Sequence, residues 1–192
     1  MIAVTDLTRE RIDSDDIDVL NEHLRQLVGL PFLSLRTSYP DELKVHLGAP
    51  VPYRHPALKD RVRGEYVLGA RASEWILITG KDRAVHRGCG ADENPPGAIT
   101  PAELEARTTI LPGSRAIAAT AYRMPLTWSR SGLCLELRFA DGSRLEVRPI
   151  PDFDPHDDCP PADWEVLAPG DHCLRAGPGI RWKWVAEPST DH

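Results

Sequence analysis

The sequence predicts an α+β fold: mainly antiparallel β-sheet built from two similar strand sets, with one N-terminal amphipathic helix and a short helix near 101–107. Three observations carry it. Short runs alternate apolar and polar residues, as in Leu43-Lys44-Val45-His46-Leu47 and Leu133-Cys134-Leu135-Glu136-Leu137, which is the period of a half-buried strand. The clearest helical spacing, Ile17, Leu20, Leu24, Leu27 and Val28, lies near the start. The third is a repeated order of strand, strand, then Trp-led strand: 43–47, 65–68 and Trp75–Ile78, then 133–139, 144–148 and Trp164–Leu167.

Taken in order, residues 1–12 read as a flexible N-terminus. Asp13-Ser14-Asp15-Asp16 offers N-cap side chains and negative charge for the helix that follows, and Gly29 offers its stop. Residues 32–38, 43–47, 65–70 and 75–79 read as strands. Tyr39-Pro40-Asp41-Glu42 reads as a turn, since Pro fixes φ. Residues 80–100 read as a long irregular connection, on Gly88, Gly90, Pro95, Pro96 and Gly97. Thr100 is placed to cap a short helix over 101–107 with Pro101 in its first turn. Strands follow at 115–122, 133–139 and 144–147, the last two joined by Asp141-Gly142, a strong hairpin signal. Residues 149–163 are rich in Pro and Asp. Another strand opens at Trp164, and 173–184 reads as a closing hairpin around Gly177-Pro178-Gly179. Residues 186–192 read as a disordered tail. The domain thus spans 13–185, with related halves of about 30–80 and 114–185.

A chain of 192 residues can bury a real core in one domain. Its net charge of −6 argues against a nucleic-acid partner. The arginines and lysine between Arg61 and Arg87 are interspersed with other residues, as on a solvated face. No window is apolar enough for a membrane span, and residues 1–6 do not resemble a secretory signal. The expectation is a cytoplasmic protein whose cysteines are reduced thiols. Phosphate-cradling glycine motifs and a nucleophile elbow do not occur, so no cofactor is expected.

The richest polar cluster is Asp152-Phe153-Asp154-Pro155-His156-Asp157-Asp158-Cys159. It reads first as a solvated acidic loop; Asp154, His156 and Asp157 are its candidate binding residues. A metal version would use His156 or His172 with Cys159 and Cys173, because imidazole and thiolate are competent ligands. The spacing matches no metal template. His86-Arg87-Gly88-Cys89-Gly90 is a weaker nucleophile–base pairing, which needs cations to activate the thiol. Trp182 and Trp184, two apart on one strand, share a face. That face is either core cover or an aromatic binding surface. Trp128 lies in the loop 124–132.

The segments Arg63-Gly64-Glu65-Tyr66-Val67-Leu68, Trp75-Ile76-Leu77 and Trp164-Glu165-Val166-Leu167 resemble small β-rich bacterial proteins of actinobacterial type. In those, a Gly-Glu-x-x-Leu strand and a Trp-led strand recur. That group has no assigned activity, so the resemblance implies no catalytic residue. Similar small acidic proteins resemble immunity proteins of toxin systems. The functional expectation is therefore a non-catalytic, cytoplasmic protein-binding module, of accessory or immunity type, whose partner is another protein. The alternative is a small-molecule or metal-binding enzyme with a site between loops 80–100 and 149–163.

Overall fold

The structure, a computed structural model, describes residues 12–38, 42–53, 56–58, 60–70, 73–87, 97–108, 111–150 and 163–186. Its helices form where the capping chemistry sits. In α1 (Ile17–Leu24), the Asp16 carboxylate accepts the amides of Asp18 and Val19 at 2.9 and 3.2 Å. These are orphan donors of the first turn, and the negative charge suits the helix dipole. A 3₁₀ turn, Arg25–Leu27, continues it, and Gly29 ends it at φ +88°. Leu20, Leu24 and Leu27 are buried. In α2 (Pro101–Arg107), Thr100 and Glu103 form a reciprocal capping box.

The strands are β1 (Ile12–Ser14), β2 (Phe32–Ser38), β3 (Glu42–Pro52), β4 (Val62–Ala70), β5 (Ser73–Thr79), β6 (Asp82–Arg87), β7 (Ala116–Pro125), β8 (Ser131–Phe139), β9 (Arg144–Pro149), β10 (Trp164–Ala168), β11 (His172–Ala176) and β12 (Trp182–Ala186). They form a seven-stranded sheet, β1-β12-β11-β10-β4-β3-β2, and a five-stranded sheet, β6-β5-β9-β8-β7. Every pairing between strands is antiparallel.

The doubled pattern maps onto this order by exchange. The meander β2-β3-β4 belongs to the large sheet, but the Trp75 strand and its partner β6 cross to the small one. The meander β7-β8-β9 belongs to the small sheet, but the Trp164 strand and β11 cross to the large one. Each crossing strand then pairs with the last strand of the other half's meander, β5 with β9 and β10 with β4. The halves are interlocked, and one hydrophobic core contains residues of both sheets and both helices. The first crossing needs only residues 71–72, whereas the second is the long segment between β9 and β10.

A second tie links the sheets at their edges. Residues 29–32 exchange backbone hydrogen bonds with 113–116, including Gly29 N to Ala116 O at 2.7 Å and Ala116 N to Leu30 O at 2.9 Å. Further along β7, the Asn21 side chain stands in for a neighbouring strand. Its Nδ2 donates to Ala121 O at 3.1 Å and its Oδ1 accepts from Ala121 N at 2.7 Å. An exposed row of such groups would template edge pairing. Asn21→Ala removes both bonds and should cost about 1–2 kcal/mol, read as a lower urea midpoint. Asn21→Asp, which keeps the acceptor, should fall between.

Three expectations are corrected. Residues 80–100 are not wholly irregular: Gly80, at φ +58°, turns the chain into β6, which pairs along β5 from Thr79↔Asp82 to Glu74↔Arg87. The expected flexible N-terminus includes Ile12, which pairs with Trp184 in β1. Ala186, placed in the tail, closes β12 opposite His172. The rest of both termini lies outside the described residues.

Candidate functional site

Alternation decides which side chains can meet. On β11, Leu174 and His172 share the face that carries Trp184, while Cys173 lies on the other. The Cys173 thiol instead approaches the Glu165 carboxylate at 3.9 Å. His172 and Cys173 therefore do not converge on one ion. The other proposed ligands and binding residues, Asp154, His156, Asp157 and Cys159, lie outside the described residues, as does Cys89. Among the described residues, no group of three or more His, Cys, Asp or Glu is placed to hold a metal.

The Trp182–Trp184 face turns inward. Trp182 is buried in the core and its indole N–H donates to Asp16 O at 2.9 Å. Trp184 is half-buried and stacks on two imidazoles, His23 at 4.9 Å and His172 at 5.4 Å between centroids. Burial lowers the pKa of His23, which favours the neutral imidazole. These residues close the core under α1 and leave little aromatic surface for a partner.

Among the described residues, His46, His86, Cys134 and Cys173 are buried as well. His86, expected on a loop, lies in β6 opposite Trp75, with Nδ1 3.1 Å from Ile99 O. His46 alternates with the buried Val45 and Leu47 and so faces away from the core with Lys44, yet it is 1% exposed. Its Nδ1 accepts the Gly64 amide at 2.9 Å, which fixes the proton on Nε2. Burial first, then Arg36, Lys44 and Arg63, push its pKa down to about 4. Cys134 and Cys173 are free, buried thiols. Burial pushes Cys134 up to about 11, far from a reactive thiolate.

Among the described residues, Trp128 is the most exposed large hydrophobic side chain. The loop from Leu126 to Arg130 joins β7 to β8 and carries Trp128, which is 99% exposed. The loop itself is ordered by hydrogen bonds. Leu126 N donates to Arg130 O at 2.8 Å and Thr127 N to the same oxygen at 3.2 Å. Thr127 Oγ1 accepts the amides of Ser129 and Arg130 at 3.4 and 3.2 Å. Below the tip, Gly132 leaves room for Leu126 and Pro149, both of which a Cβ there would meet at 3.2 Å or less. Leu126 is thus folded back while Trp128 faces water. Arg130 is exposed at the end of this loop. Arg123 is exposed on the same hairpin, its guanidinium donating to Asp15 O at 2.9 Å.

Sequence reading located Trp128 in this loop without singling it out. The available signal was a tryptophan among Thr127, Ser129, Arg130 and Ser131, with no apolar periodicity to draw it inward. Asp163 was also missed. It is buried just before β10, and its Oδ2 has no hydrogen-bond partner. Compared with known protein families, curated proteins and solved structures, the chain matches none of them.

Proposed function

We propose that the protein is a non-catalytic protein-binding module and that the β7–β8 hairpin is its docking element. The observation that carries this reading is Trp128, fully exposed on a loop held by its own hydrogen bonds. A tryptophan of roughly 200 Å² forgoes about 5 kcal/mol of burial by facing water, at ~25 cal/mol per Å². Such residues are the usual anchors of protein interfaces. An ordered loop also loses little conformational freedom on association. The burial of His46, His86, Cys134 and Cys173 supports binding over catalysis.

The partner this tip suits presents an apolar notch with carboxylates near it, because Arg123 and Arg130 are exposed on the same hairpin as Trp128. Local charge here is opposite to the chain-wide −6, and local charge sets complementarity at an interface. An accessory or immunity-type role is the form of this reading in which complex formation is itself the function.

A photo-crosslinking residue placed at position 128 tests it in cells that make the protein. One protein should be captured from position 128 and not from position 120, an exposed site on the middle of β7. Equal capture from both positions would count against the hairpin as the docking element.

A further inference from the structure

We propose that the outer face of the five-stranded sheet binds a small amphipathic anion, one carboxylate or phosphate head on a compact apolar body. The register places Arg138 opposite Arg144, Arg144 opposite Ile78, and Ile78 opposite Arg83. Three arginines thus stand in one cross-strand row with an isoleucine between them. Like charges directly opposite each other destabilise a sheet. Here they are held by the next row, where Glu136 lies opposite Glu146. Glu136 accepts Arg138 Nε at 2.6 Å and Arg144 Nη1 at 3.3 Å, and Glu146 accepts Arg144 Nε at 3.0 Å.

The carboxylates position the guanidiniums without exhausting them. Glu146 also binds Arg148, so Arg144 and Arg148 share one carboxylate. Arg138 engages Glu136 through Nε, and its side chain is 59% exposed. Arg83 is exposed and has no ionic partner among the described residues. A row of oriented N–H donors with surplus positive charge is what an oxyanion head requires.

An apolar wall completes the site. A bulge between Ala116 and Ala118 breaks the alternation of β7 and turns Ile117 outward, 58% exposed. Ile117, Ile78, Arg138, Arg144 and Ser143 line a pocket of about 270 Å³. A cavity of about 150 Å³ holds benzene, so a single ring or short chain fits over the isoleucines with its head on the arginines.

Titration of ¹⁵N-labelled protein with phenyl phosphate, benzoate, inorganic phosphate and benzyl alcohol tests the proposal. Phenyl phosphate and benzoate should give saturable shifts at Ile78, Ile117, Ser143 and Arg144, phosphate alone weaker ones, and benzyl alcohol none. Arg138→Gln should weaken phenyl phosphate at least ~10-fold, about 1.4 kcal/mol. Ile117→Ser should weaken phenyl phosphate and leave inorganic phosphate unchanged. Both residues are exposed, and unchanged melting of the variants confirms that the fold is kept. The proposal is overturned by the absence of saturable shifts, by equal binding of benzyl alcohol, or by affinities that neither substitution moves.

Discussion

Trp164→Ala is expected to destabilise the protein by about 4 kcal/mol, a large part of the ~5–15 kcal/mol that a domain of this kind possesses. The side chain is fully buried at the start of the strand that crosses from one half's sheet to the other's. Its indole N–H donates to Leu133 O, in the opposite sheet, at 2.8 Å. Removing the ring opens a cavity in the shared core and cuts a polar tie between the sheets. Trp75 holds the equivalent place in the other half, equally buried and opposite Val147, but its indole nitrogen has no partner. The two tryptophans therefore separate packing from hydrogen bonding. Trp164→Phe should cost ~1–2 kcal/mol more than Trp75→Phe, because it alone strands a buried carbonyl. Urea midpoints of the two Phe variants give this difference, and equal midpoints would show that the bond to Leu133 contributes nothing.

The contribution of Asp163 to stability should fall as pH rises from about 4 to 8, while the depressed pKa of His46 works the other way between about 4 and 6.5. Burial pushes the pKa of Asp163 up from the ordinary carboxyl range to about 7, against a smaller opposing pull from Arg130. In that window the folded protein holds a proton that the unfolded chain has released. Folding is therefore favoured below the unfolded pKa and loses ground until the folded pKa is passed. The difference amounts to about 4 kcal/mol by the upper end of the window. The strain has a visible source: Oδ2 has no partner, and a Cβ on Gly177 would overlap the carboxylate. Asp163→Asn keeps the backbone bonds, Asp163 N to Ala176 O at 2.8 Å and Ser73 Oγ to Asp163 O at 2.6 Å. It should be more stable than the wild type at pH 8 and gain nothing at pH 4. Parallel pH profiles for the two proteins would remove Asp163 as the cause.

Much of the secondary structure was legible because it is written locally. The Asp16 cap, the Gly29 stop, the Thr100 cap and the Asp141-Gly142 hairpin each depend on a few adjacent residues. The exchange of strands between halves was not legible, since β4–β10 pairing joins residues about a hundred positions apart. Periodicity says which side chains share a face but not which face is covered. That is why Trp182 and Trp184 were correctly paired yet their face proved to close the core. His46 shows the converse, a residue correctly turned away from the core yet buried. Strand β6 was hidden because Ala84, Val85 and His86 are all buried and show no alternation. Its turn, Gly80-Lys81, was present in the sequence. The arginine row follows from the register of two hairpins and of the long-range β5–β9 pairing together, which no single run of residues displays.

The proposed docking role of the hairpin requires that Trp128 be presented for a partner and contribute nothing to the fold. Once the protein captured from position 128 is purified, its dissociation constant can be measured for wild type and Trp128→Ala, beside the urea midpoint of each. At least ~30-fold weaker binding, about 2 kcal/mol, with an unchanged midpoint is the expected result. Equal affinities, or a loss of affinity matched by a loss of stability, would contradict it.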